Sequence, residues 1–314
     1  VNQQGLFLQN IIAVIWDFDR TLSPRYMQKP LFDHFGIDEK TFWAEVGELS
    51  AYYQKAEISV HKDTSYLVHL LSYVQNGVMK GLTNGKLREL GAEIDFFPGM
   101  PFFLDELRGL LDSEEYRQGD LKLEHYVVST GLEAMIQGTE IFDKVDGVWA
   151  SSFIETPAKP GQDFSETPLA GEISQIAGFL DNTTKTRALF EINKGVNISD
   201  QFSVNDSIPL AKRRVPFQNM IYIADGPSDI PSFSVMRNNG GFAYAVYDPE
   251  AEGHFEQAVK LNEDGRVNDY GPADYTSGST TSLRLKLQIR NIADGIMAAR
   301  KTQTESSFSK APEH

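Results

Sequence analysis

The chain has 314 residues, a formal charge of −15 and no cysteine, and 41% of it is hydrophobic. The length allows one large domain or two. The missing thiols exclude disulfides, thiolate metal sites and a cysteine nucleophile, and the acidic balance leaves no positive footprint for nucleic acid. No apolar run reaches the roughly eighteen residues of a membrane span. The opening Val1-Asn2-Gln3-Gln4 lacks the basic-then-apolar pattern of a secretory leader, and a cytoplasmic location is expected.

Residues 11–17, IIAVIWD, form the first strong apolar run. It stops on Asp17-Phe18-Asp19-Arg20-Thr21. Residues 25–98 contain two segments with helical spacing, KTFWAEVGELSAYYQKA and DTSYLVHLLSYVQNGV, and no strong strand run. We read them as a helical insertion that ends near Phe97-Pro98-Gly99. A single helix is expected over 101–116, then a second strand at 125–130, HYVVST. Residues 143–181 are irregular, with VDGVWASSFIE as a short hairpin and a Gly/Pro loop over 157–171. A helix is expected at 184–195, strands at 220–225 (MIYIAD) and 241–247 (GFAYAVY), and a long helix at 282–301. The basic triplet at 212–214 is read as a solvated loop cluster, and 302–314 as a flexible tail.

Continuous β-branched runs of this kind are buried on both faces of a parallel sheet. Alternation of strands with helices gives an α/β fold with a doubly wound, Rossmann-like parallel sheet. The expected division is a core of residues 1–24 and 99–301, a helical cap over 25–98, and the tail. In such sheets ligands bind at the carboxyl ends of the strands, where the three polar terminations lie.

Those terminations carry chemistry. Asp17 and Asp19 stand two apart, which in an extended strand end places both carboxylates on one side. Like charges so placed need a cation or a shared proton, and a hard dication such as Mg²⁺ takes oxygen ligands. The strand at 220–225 ends in Asp225-Gly-Pro-Ser-Asp229. There Gly226 allows a tight turn, and Ser228 or Asp229 can cap the helix that Pro231 begins. Ser129, or Thr130 if the strand runs one residue further, offers a hydroxyl to a phosphate oxygen. Lys185 opens a helix and can neutralise the same anion. Lys159 and Lys194 compete with it, although Lys194 beside Gly195 also suits a helix C-terminus. The histidines show no metal-ligand spacing, and His61 and His69 read as packing or surface residues of the insertion.

This set resembles the haloacid dehalogenase-like (HAD) superfamily. Its Asp-x-Asp-x-Thr motif is matched by Asp17, Asp19 and Thr21, its Ser/Thr strand end by Val127-Val128-Ser129, its lysine by Lys185, and its Asp-x-x-x-Asp by Asp225 and Asp229. The motifs occur in order over roughly residues 10–250. The helical insertion between the first two is similar to the cap of the phosphoserine-phosphatase-like branch. The chain departs at Arg20 and Ala224, where many relatives carry Gly.

The resemblance implies that Asp17 is a nucleophile forming an aspartyl-phosphate, with Asp19 as the acid and base. Mg²⁺ would be held by the Asp17 carboxylate, the Asp19 carbonyl and Asp225, with Asp229 supporting. Thr21, Ser129, Thr130 and Lys185 would bind phosphate. The function implied is hydrolysis of a small phosphorylated metabolite. A phosphotransferase or phosphomutase of the same superfamily is the nearest alternative, and a non-catalytic binding protein on the same fold is a third.

Overall fold

The structure is a computed structural model that describes residues 9–199, 201 and 203–308, with side chains described as far as residue 302. In chain order the elements are β1 (Ile11–Trp16), α1 (Lys29–Phe35), α2 (Glu39–Gln54), α3 (Ser65–Gln75), α4 (Asn84–Gly91), α5 (Phe102–Gly109), α6 (Glu114–Gln118), β2 (Lys122–Leu132), α7 (Glu133–Gly138), β3 (Gly147–Ile154), β4 (Gln175–Gly178), α8 (Lys185–Lys194), β5 (Met220–Ala224), α9 (Ile230–Asn238), β6 (Phe242–Tyr247), α10 (His254–Glu263), β7 (Asp269–Pro272) and α11 (Thr280–Phe308). The strands make one seven-stranded sheet in the order β4-β3-β2-β1-β5-β6-β7. Every pairing is parallel except the antiparallel edge β3–β4. This is the α/β, doubly wound arrangement expected from the alternation of strands and helices.

β1 is central because it is apolar on both faces: all six of its residues are buried. Ile12, Val14 and Trp16 pack toward one helical layer, with Phe103 and Leu104 of α5 and Leu285 and Ile289 of α11. Ala13 and Ile15 pack toward the other, with Ala188 and Leu189 of α8 and Phe233 of α9. The alternation follows from the two-residue period of a strand. Trp16 is anchored edge-on by Phe103 and Tyr275, and its indole N–H donates to His125 Nδ1 at 3.2 Å. His125 Nε2 lies 3.0 Å from the Leu104 carbonyl, so it carries the proton. Burial pushes this imidazole down to about 3. It is a neutral core group, in keeping with the absence of ligand spacing.

Strand order reverses at β1, whose neighbours are β2 and β5. Parallel sheets bind ligands at the carboxyl ends beside such a reversal. The register puts Trp16 opposite both Val127 and Ile223, so Asp17, Ser129 and Asp225 emerge within two residues of one level.

Residues between β1 and α5 carry the helices α1 to α4. Phe97 N–H donates to the Leu22 carbonyl at 2.9 Å, so the chain leaves this segment beside the point where it began. The apolar side chains of the segment, among them Phe32, Phe42, Leu67, Leu70 and Leu87, are continuous with the β1 face that carries Trp16.

Several expectations are corrected. The segment read as a hairpin is the single strand β3, parallel to β2; its antiparallel partner β4 lies across the loop near 157–171. The helix expected over 101–116 is broken after Gly109, because Ser113 starts α6 by accepting the Tyr116 N–H. The basic triplet is not simply a solvated cluster. Arg214 is buried, and its guanidinium donates to both Glu124 carboxylate oxygens and to Tyr126. Residues 302–308 continue α11 rather than forming a tail, and 309–314 lie outside the described residues. Among the described residues no helix is long and apolar enough to cross a membrane.

Candidate active site

The carboxyl ends of β1, β2 and β5 and the start of α8 meet around a cavity of about 200 Å³. Its walls include Asp17, Asp19, Arg20, Tyr26, Ser129, Thr130, Lys185, Asp225, Ser228 and Gln257. Asp17 is fixed by its own backbone, whose N–H donates to the Ile223 carbonyl at 2.9 Å. Asp225 follows directly on the last residue of β5.

Lys185 ties two strand ends together. It is the first residue of α8, is 2% exposed, and donates to Asp17 Oδ1 at 2.7 Å and Asp229 Oδ1 at 2.8 Å. Asp229 also accepts from the Tyr222 hydroxyl at 2.6 Å and from the Ser228 hydroxyl at 2.9 Å. Asp229 sits at the N-terminus of α9, yet its side chain makes no capping bond. Its carboxylate is turned to Lys185 instead, which sets aside the capping role open in the sequence. Lys194 donates to the Val204 and Asp206 carbonyls, and Lys159 lies in an exposed loop. Of the three lysines considered, Lys185 reaches the acids. The two carboxylates hold its ammonium well above the usual lysine range in spite of the burial that opposes them.

One lysine does not balance this cluster. Oxygen atoms of Asp17, Asp225 and Asp229 lie within 4.8 Å of one another. Burial pushes the Asp17 carboxyl up to about 7; Lys185 opposes the shift, while Asp229 and Asp225 add to it. Burial likewise pushes Asp225 up to about 7, with Asp229 adding to the shift and Lys185 opposing it. Charges withdrawn from water need partners, and these acids lack enough of them. An all-oxygen set with excess negative charge suits a hard dication such as Mg²⁺, so the residues fit the ion that the motif implies.

Asp19 lies beyond the end of the strand. β1 ends at Trp16, and the chain then turns, with the N–H groups of Thr21, Leu22 and Ser23 all donating to the Phe18 carbonyl. The alternation of an extended strand therefore no longer applies. Asp19 lines the same cavity but stands outside the three-carboxylate group. Its Oδ1 accepts the Met27 N–H at 2.8 Å. Burial, with Asp17 adding, pushes this carboxyl up to about 7.

Arg20 occupies left-handed backbone, φ +59°, which costs a non-glycine residue roughly 1–2 kcal/mol. This explains why glycine suits the position. Its guanidinium lies 4.5 Å from the Tyr26 ring centroid, and Tyr26 in turn meets Trp43 of α2 at 5.4 Å.

Thr21 does not reach the cavity. Its side chain is fully buried with Oγ1 unpartnered, and its carbonyl accepts the Tyr275 hydroxyl at 2.6 Å. A phosphate-binding role for this side chain is not what the geometry offers. Ser129 and Thr130 both line the cavity. Ser129 is buried, with its Oγ accepting the Gly131 N–H at 3.0 Å, and the Thr130 carbonyl accepts the Tyr66 hydroxyl of α3 at 2.5 Å.

Sequence reading missed Gln257 of α10, whose amide donates to the Asp225 carbonyl at 3.1 Å and holds that strand end. Nothing local marks a lone glutamine on a helix as facing a cavity. Tyr26, seven residues after Asp19, also lines the cavity. His69 bonds to Glu45 at 2.7 Å, away from the cavity.

No family model matches the chain. An uncharacterized protein of Borreliella burgdorferi is 36% identical over 277 residues, covering 86% of this chain and 94% of that protein. The chain belongs to the same family as that protein. Among solved structures, a HAD family hydrolase from Salmonella enterica serovar Typhi is 13% identical, with a TM-score of 0.48, over 85% of this chain and 68% of its own. A phosphoserine phosphatase in its apo form is 15% identical, with a TM-score of 0.47, over 82% of this chain and 92% of its own.

Proposed function

We propose that the protein is a Mg²⁺-dependent phosphatase of the HAD type, hydrolysing a small phosphomonoester through an aspartyl-phosphate on Asp17. The observation that carries this reading is the contact of Lys185 with Asp17 and Asp229 inside a group of three carboxylates at the point where strand order reverses. A nucleophile needs a defined orientation, and Lys185 supplies it by holding Asp17 Oδ1.

In the first step an Asp17 oxygen bonds to phosphorus and the ester P–O bond breaks. The leaving oxygen takes the departing electron pair together with the Asp19 proton. A carboxyl held near 7 retains that proton at working pH far better than an ordinary aspartate. In the second step water attacks the phosphorus and gives its proton to Asp19. The Asp17–phosphorus bond breaks, and phosphate leaves. Mg²⁺ held by Asp17, Asp225 and Asp229 would supply neutralisation of the phosphoryl oxygens. Lys185 and the Ser129 hydroxyl add donors to the same oxygens, which suits a reaction governed by positioning and charge. The helical segment 25–98 acts as a cap, since Tyr26 and Tyr66 bring it against the strand ends. A cavity of about 200 Å³ favours a metabolite over a protein substrate.

The test is phosphate release from p-nitrophenyl phosphate and a panel of metabolite phosphoesters. Turnover should require Mg²⁺, stop with EDTA, and fall on the order of 10³-fold or more in Asp17→Asn. Product that forms only with an added sugar or alcohol acceptor replaces hydrolysis by transfer. Silence across the panel with folded, Mg²⁺-loaded protein rejects the enzymatic reading in favour of binding.

A further inference from the structure

Arg20 is a second cation in this cavity, and the chemistry described above does not use it. Among the described residues its guanidinium has no carboxylate within ion-pair distance and no hydrogen-bonded partner; it lies over the Tyr26 ring, and its charge is felt by Asp19 and Asp225 in the same cavity. Stacking on a ring holds the guanidinium plane while leaving its N–H edge free. Tyr26 is itself braced on Trp43, so the arginine is propped from the helical segment. Phosphoryl donors come from other elements lining the cavity, Ser129 on β2 and Lys185 on α8. The leaving group would then extend toward the propped guanidinium. Space is short, so whatever Arg20 meets lies within a few bonds of the phosphoryl group.

We propose that Arg20, propped on Tyr26, reads a second oxyanion on the substrate, a carboxylate or phosphate carried by the leaving group. The inference rests on the phosphatase reading for its substrate geometry. A planar guanidinium binds either oxyanion through paired N–H donors. It also accounts for an arginine in left-handed backbone that glycine would occupy without strain.

Three probes test it: 2-hydroxyethyl phosphate, phosphoglycolate and ethane-1,2-diol bisphosphate. Wild-type enzyme should favour the two charged compounds over hydroxyethyl phosphate by about tenfold or more in kcat/KM, mainly through KM. Arg20→Gln should bring the ratio close to one. Arg20→Gly, which suits the backbone angle, should do the same if Gln perturbs folding. Calorimetry on Asp17→Asn with the same probes should rank their affinities in the wild-type order, and adding Arg20→Gly should flatten it. The two arms with charged leaving groups tell carboxylate from phosphate. Equal losses on all three probes would assign Arg20 to the phosphoryl group and overturn the proposal, as would a ratio that survives the substitution. If no probe is turned over but binding still ranks by charge through Arg20, the phosphatase reading fails and the anion site stands.

Discussion

The amino and carboxyl ends of the central strands treat buried charge in opposite ways. Near the amino end of β2, Glu124 receives both arms of the Arg214 guanidinium, one at 2.8 Å and one at 2.5 Å, and Tyr126 accepts a further N–H at 3.0 Å. One anion meets one cation, and the hydrogen bonds are filled. Across the sheet at the carboxyl ends of β1 and β5, Asp17 and Asp229 share a single lysine, and Asp225 stands in the same group with no ion pair among the described residues. A neutralised pair is a structural joint. A cluster left short of positive charge is held in readiness for something that supplies it, and perturbed carboxyls in a cavity are a physical mark of a functional site.

The contrast can be broken by mutation. Removing the Asp19 proton donor should have a large effect on activity. Asp19→Asn is expected to lower kcat about 10²–10⁴-fold on an alkyl phosphate. The loss should be much smaller on p-nitrophenyl phosphate, whose leaving group needs little protonation; steady-state kinetics on both substrates checks this. In the wild type, activity on the alkyl phosphate should fall on the alkaline side of about 7, because Asp19 must begin protonated, and on the acid side, because Asp17 must begin ionised.

At the other end, Glu124→Gln leaves Arg214 buried with its charge unmatched. Breaking one half of a buried pair costs about 3–5 kcal/mol, which urea denaturation would register. Phosphatase kinetics measured well below the midpoint should change little.

Divalent cation sharpens the difference more gently. Asp17, Asp19 and Asp225 are each held near 7 in the folded chain against an ordinary 3.8. Between those values the folded chain keeps protons that the unfolded chain has released. Their contribution to stability is therefore fully present below 3.8 and is lost as pH rises through 7. Mg²⁺ should restore it, by about 2.7 kcal/mol at a hundred times its Kd. The rise in Tm should be larger at pH 8 than at pH 5.5, and a melting series with Mg²⁺ or EDTA decides it. The smallest effect is expected from Asp225→Asn. It should raise Tm slightly in EDTA at pH 8 and remove most of the Mg²⁺ increment.

Much of this was legible in the chain. β1, β5 and β6 are short runs with apolar residues on both faces, and such runs can settle only inside a sheet. Lys185 followed from its place at a helix start. The misreadings share a cause, which is that contact partners are distant in sequence. Arg214 looked solvated because its partner Glu124 lies ninety positions earlier. β3 looked like half of a local hairpin because β4 follows only after a long loop. Thr21 fits the motif, but the turn at Phe18 directs its side chain into the interior.

The sequence by itself determined the fold class and the acids at the strand ends, because strand periodicity and abrupt apolar-to-acidic boundaries are local properties. Only the tertiary structure decided which acids converge, that Asp19 stands apart from them, and that Arg20 rests on Tyr26. Those outcomes depend on strand register and on one turn after β1. Register is fixed by packing between segments up to two hundred residues apart, and that information is not carried by any one of them.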